Sequence, residues 1–156
     1  AADKRAPPGS RFSLSEEFDP MSTMTTVARV AEERRPTFLP ELFGPTRMLV
    51  AENMVYAMMD SLSPLDYGCG HWDFYEQGGR PLFMAPTSKA RYRMACSGNG
   101  WQGDVSAEAA GIIATLFAFS HLSFHHADDQ LVEGYARLYE FAGDHPEAAE
   151  IFQAID

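Results

Sequence analysis

The segment from Ser106 to Phe124 limits the fold more than any other stretch of this chain. Its members Ile112, Ile113, Leu116, Phe117, Phe119 and Leu122 fall on nearly every side of a helix with about 3.6 residues per turn, which leaves almost no face for water. Such a helix must be covered from several directions. Ser106 offers a side-chain oxygen to its first free N–H groups. The chain of 156 residues, 46% hydrophobic, is long enough to build one core around it. No stretch reaches the roughly 18 uninterrupted apolar residues of a membrane span, and the N-terminal residues lack the apolar run of a secretory signal. A soluble, cytoplasmic domain whose two cysteines, Cys69 and Cys96, stay reduced is expected.

Residues 1–36 combine Pro7, Pro8, Gly9, Pro20 and Pro36 with scattered charge and few apolar groups, and they read as a flexible N-terminal segment. Within it, residues 1–20 resemble a vector-derived leader ahead of a start at Met21. Residues 37–156 are expected to form a single domain. Phe38, Leu39, Leu42 and Phe43 supply apolar anchors, after which Thr46 is a candidate cap for a helix from Arg47 to Leu62 whose buried stripe would be Val50, Met54, Ala57, Met58 and Leu62. Four aromatic-rich segments follow, His71 to Glu76, Leu82 to Ala85, Arg91 to Cys96 and Trp101 to Val105, separated by turn residues. In the third, Tyr92, Met94 and Cys96 alternate with Arg91, Arg93 and Ala95, so one face is buried and the other wet. After the apolar helix, a helix from Asp128 to Phe141 and a last one to Ile155, started by an Asp144/Glu147 capping box, complete the chain. The expected class is α+β: a four-stranded antiparallel meander with one helix before it and about three after it.

Three patterns invite a catalytic reading. His121 and His125 are four residues apart on one helix face, as metal ligands can be, and with an acidic third ligand such as Asp128 or Asp129 they would suit a metal-dependent hydrolase. Leu122 to Phe124 between them hold no glutamate to act as base, and histidine is also at home near the negative end of a helix dipole. Cys69 and His71 share a strand face without being forced into contact. Gly98, Gly100 and Gly103 lack the parallel setting of a phosphate loop and suit a hairpin turn. No cofactor is expected.

Charge is more informative. The chain carries a formal −10, and residues 101–156 hold ten carboxylates against the single cation Arg137, a net of −9. An acidic surface repels phosphates, so stable sequence-specific nucleic-acid binding is not expected, whereas a basic protein partner would be attracted. Imitating ten base pairs of duplex would take on the order of 20 ordered carboxylates, so an extended DNA decoy is not expected. Asp128, Asp129, Glu133, Asp144, Glu147 and Glu150 are the candidate partner-binding residues. Arg91 and Arg93 on the wet sheet face are a rival, phosphate-directed surface.

The segments Phe38-Leu-Pro-Glu-Leu-Phe-Gly44, His71-Trp-Asp-Phe-Tyr75, Phe83-Met-Ala-Pro86, Gly98-Asn-Gly100, Ser106 through Phe117 and His145-Pro-Glu-Ala-Ala149 together resemble the ArdB/KlcA antirestriction family, in order and spacing, from Phe38 to Asp156. The resemblance implies a small non-enzymatic α+β protein of plasmids and other mobile elements that protects incoming DNA by inhibiting type I restriction-modification enzymes. It also implies a mode distinct from DNA-mimic inhibitors, and it assigns no site residue. The partner expected on this basis is the type I restriction-modification complex, met directly or indirectly by a monomer or weak homodimer. A regulatory module for another host DNA-handling protein would present the same surface.

Overall fold

The computed structural model describes residues 27–156. Strand β1 (Val27–Arg29) and a short 3-10 turn (Glu32–Arg34) lead into α1 (Arg35–Phe43) and α2 (Met48–Leu62); then come β2 (Trp72–Gln77), β3 (Arg80–Pro86), β4 (Arg91–Cys96), β5 (Trp101–Ser106), α3 (Ala107–His125), α4 (Asp129–Gly143) and α5 (Ala148–Ile155). The class is α+β, with all strand pairs antiparallel. Residues 27–36, expected as part of the flexible segment, carry β1 and the entry to α1, and Val30 is buried. The expected leader of residues 1–20 lies outside the described residues.

α3 is the keel that its composition demands. Ile112, Ile113, Leu116 and Phe119 are all fully buried, and Ser106 caps the helix by accepting the Ala109 N–H at 3.1 Å. It is the one helix among the described residues long and apolar enough to cross a membrane, but here β3, α2, α4 and α5 cover it. The closest approach is at Gly111, where a Cβ would lie 2.3 Å from the Met84 carbonyl oxygen and 2.5 Å from the Ala85 Cα. The helix backbone therefore rests directly on β3, and Leu82 to Ala85 are buried without alternation.

The strands do not form one meander. β1, β2 and β3 make one sheet, and β4 and β5 make a separate two-stranded ribbon. β2 and β3 turn through Gly78 and Gly79, both at positive φ (59° and 80°), as a two-residue hairpin requires. The β2–β3 pairing runs one step past Pro86, where the Thr87 N–H bonds to the His71 carbonyl at 3.1 Å, and Pro86 has no N–H to offer a further strand. Alternation locates strands but does not say which of them pair.

Two α-helices, not one, precede β2. α1 forms despite Pro40 in its interior because Phe38 and Leu42, four apart, bury together with Phe43; Phe38 stacks on Phe74 at 4.3 Å and Phe43 meets Phe119 at 5.0 Å. In α2 the buried stripe is Ala51, Val55, Met59 and Leu62, while Val50 is 56% exposed. Leu62 belongs to both the expected and the buried stripe, while Val50, Met54 and Met58 each lie one residue ahead of the buried Ala51, Val55 and Met59, since both sets of positions are apolar and fit the same spacing. Thr46 does not cap this helix; Arg47 occupies the cap position and makes no side-chain cap bond.

Gly111→Ala should drive a methyl group into the β3 backbone and cost about 3 kcal/mol, at the upper end for overpacking. Urea unfolding measures it, and a change below about 1 kcal/mol would contradict the close approach.

Candidate interaction surface

The six candidate carboxylates do not share one environment. Asp128 is the cap of α4, accepting the Gln130 N–H at 2.7 Å, and it also receives the Arg47 guanidinium. Those donors, the Gln130 N–H foremost, hold its carboxyl below the ordinary range although burial opposes them. Glu147 turns away from its own helix, so the expected capping box does not form. Its carboxylate instead accepts the Ser106 N–H at 2.9 Å and the Ser106 hydroxyl. Burial raises the Glu147 pKa, but the Ser106 bonds, with His145 and Arg91 nearby, outweigh this and leave it lowered. The adjacent Glu147 N–H donates to His145 Nδ1, which leaves the Nε2 proton for Glu108 at 2.8 Å. Ser106 thus joins the starts of α3 and α5.

Glu133 pairs with Arg80 at 3.5 Å in the open. Asp129, Asp144 and Glu150 are exposed. Helical spacing puts Asp129, Glu133 and Glu140 on one side of α4. Glu150 lies roughly 160° around α5 from Phe152 and belongs to another flank. Arg47, Arg80 and Arg91 from the first 100 residues neutralise Asp128, Glu133 and Asp104, so the acidic tally of residues 101–156 overstates the field that emerges.

The rival basic surface is matched as well. Arg91 binds Asp104 through Nε at 2.6 Å, and Arg93 holds Asp66 through Nε and Nη2 at 2.9 and 2.8 Å. Asp66 further accepts the Arg93 N–H at 2.8 Å and Lys89 Nζ at 3.2 Å, a set of bonds that holds its carboxyl far below the usual carboxylate range despite some burial. Neither arginine is available to phosphate without giving up a carboxylate.

Among the described residues no group of three or more His, Cys, Asp or Glu side chains could hold a metal ion. His121, His125 and His126 are exposed around the end of α3. Cys69 sits at φ 115° in the loop before β2, outside any strand, so the shared face expected with His71 does not exist; His71 lies 3.4 Å from Asp73 instead. The glycines around Asn99 form the β4–β5 turn, where the Asn99 amide donates to the Gln153 and Ala154 carbonyls of α5 at 3.1 and 3.0 Å. A cleft of about 540 Å³ between α2, the ribbon and α3 is lined by Met58, Leu62, Cys96, Trp101, Phe117 and His121. No hydrogen bond joins its thiol to its imidazole.

What the charge pattern did not mark is a second cleft between α4 and α5. Tyr135, Tyr139 and Phe152 line it, with ring centroids 5.8 and 4.9 Å apart in sequence. The i, i+4 tyrosines beside Val132 were the available signal.

Among the described residues the site features are paired surface charges, exposed histidines and an aromatic cleft. Residues 65–156 match the family model described as Antirestriction protein. The chain belongs to the ArdB/KlcA antirestriction family. It is 44% identical over 134 residues to an Escherichia coli antirestriction protein KlcA, covering 82% of this chain and 91% of that one. A second Escherichia coli KlcA is 41% identical over 135 residues, covering 84% and 94%. A solved structure is 43% identical with a TM-score of 0.75, covering 84% of this chain and 94% of its own. That work describes KlcA and ArdB as having a novel fold and antirestriction activity against type I DNA restriction systems in vivo but not in vitro.

Because Ser106 and Glu147 form a joint cap, Ser106→Ala should cost about 1 kcal/mol by thermal or urea unfolding, and Glu147→Gln should cost a similar amount. The folded pKa of Glu147 and Asp128 is lowered, so their stabilisation is complete above the unfolded carboxylate pKa of about 4 and is lost as the pH falls through the lower folded values. Stability measured from pH 6 to about pH 3 should therefore fall, and less steeply in Glu147→Gln.

Proposed function

We propose that this antirestriction-family chain protects incoming mobile-element DNA by inhibiting type I restriction-modification enzymes through protein contacts, as a cytoplasmic, non-enzymatic monomer or weak homodimer. The observation that carries this reading is the likeness, at a TM-score of 0.75, to KlcA and ArdB proteins described as active against type I systems. Their activity in vivo but not in vitro favours inhibition that depends on a cellular component. The contact is with the restriction complex itself or with a host DNA-handling protein that serves it.

The charge arithmetic supports protein contact over duplex imitation. A net of −9 in residues 101–156 stands in for four or five base pairs at most, at about two charges per pair. Part of that charge is already matched by arginines within the molecule. Of the candidate residues, Asp128 and Glu147 serve the fold, which leaves Asp129, Glu133, Asp144 and Glu150 as the partner-binding set.

Cells that carry a type I system should plate unmodified phage more efficiently when this chain is expressed; equal plating would reject the reading. Neutralising Asp129, Glu133, Asp144 and Glu150 together should lower protection by about tenfold, the factor that about 1.4 kcal/mol of contact energy represents. Undiminished protection would remove the acidic residues from the contact.

A further inference from the structure

We infer that the aromatic cleft between α4 and α5 is the centre of the partner contact and that it receives an arginine-bearing segment of a basic protein; this deepens the antirestriction reading and rests on it. α4 presents two neighbouring stripes to solvent. One is apolar and aromatic, Val132, Tyr135 and Tyr139, with Val132 58% and Tyr139 46% exposed. The other is acidic, Asp129, Glu133 (shared with Arg80) and Glu140, centred roughly 110° further round the helix, with Val132 and Tyr139 nearer to it than Tyr135. α5 closes the cleft with Phe152, Gln153, Ile155 and Asp156, around a volume of about 420 Å³.

Three rings in line, with the Asp156 carboxylate in the cleft lining and the acidic stripe of α4 on the adjoining face, suit a guanidinium. Its flat face lies on a tyrosine ring while its N–H groups reach a carboxylate. Tyrosine at the middle of a contact is also where interface energy concentrates. Nucleic acid would offer bases to the rings but bring phosphates against the carboxylates, an arrangement that the acidic rim disfavours.

A second copy of this chain is a poor occupant. Among the described residues every lysine and arginine already has an acceptor: Arg29 has Asp73, Arg34 has Glu76, Arg47 has Asp128, Arg80 has Glu133, Lys89 and Arg93 share Asp66, and Arg91 has Asp104. Arg35 bonds the Trp72 carbonyl and lies 4.1 Å over the Phe74 ring, and Arg137 bonds the Pro81 carbonyl. Among the described residues, then, no unmatched cation is left over for the cleft of a second copy, and another protein is the better source of the charge complement.

The test joins a direct probe to the cellular readout. The full chain, labelled for NMR, is titrated at low salt with the peptide acetyl-Gly-Arg-Gly-Arg-Gly-amide and with its glutamate counterpart. The expected result is that ring resonances of Tyr135, Tyr139 and Phe152 move with the arginine peptide alone, and that Tyr139→Ala weakens the response about fivefold while Tyr139→Phe keeps it. In phage plating, Tyr139→Ala should lose about tenfold in protection at an unchanged melting temperature, and Tyr139→Phe should protect fully. Unmoved rings, or full protection by Tyr139→Ala, overturn the inference. Ring shifts that grow with protein concentration in the absence of peptide also overturn it, in favour of a second copy. Wild-type chain that binds the peptide at the three rings without protecting cells supports the cleft and discards the antirestriction reading alone.

Discussion

The molecule is organised by the need to hide one helix from water on nearly every side from Ala109 to Phe119. A helix with one apolar stripe can rest on a single neighbour, but α3 has no polar stripe to leave outside, so a sheet and three helices close around it. The tightest of these contacts is with β3, where the absence of a side chain at Gly111 lets two backbones meet. β3 gives up the alternation of a half-wet strand as a result, because α3 covers one side and Phe83 packs between Tyr75 and Phe141, at 4.8 and 5.9 Å. The other elements are arranged around what this pair leaves uncovered.

That hierarchy explains which features could be read in the residues. α3, its Ser106 cap, the wet and dry faces of β4 and the order of elements from α2 onward were legible, since each depends on local spacing or local capping chemistry. Strand pairing was not: β4–β5 is separate from the larger sheet, and which strands pair is not carried by the periodicity of any one of them. The α2 stripe was ambiguous because Val50, Met54 and Met58 satisfy the same spacing as Ala51, Val55 and Met59, and only the position of α3 chooses between them. α1 was hidden by Pro40, whose cost is met by aromatic burial at Phe38 and Phe43.

The surface was less legible than the core for an electrostatic reason. A charge tally along the chain treats every carboxylate as exposed, yet Arg47 and Arg80 come from distant segments to meet Asp128 and Glu133, and Glu147 is spent on Ser106. Long-range pairing of this kind leaves no trace in a window of sequence. The tyrosines of α4 were visible at their spacing but silent in a count of charges.

The shared cap at Ser106 has a dynamic consequence. Residues 106 and 147 are 41 apart in sequence, yet the hydroxyl that caps the first turn of the central helix is itself held by the carboxylate of the residue that caps the final one. Fraying at either helix start withdraws a partner from the other, so the two ends open as a single cooperative unit and their amides lose protection from hydrogen exchange together. The C-terminal helix is therefore tied to the start of the central one by polar bonds as well as by apolar packing.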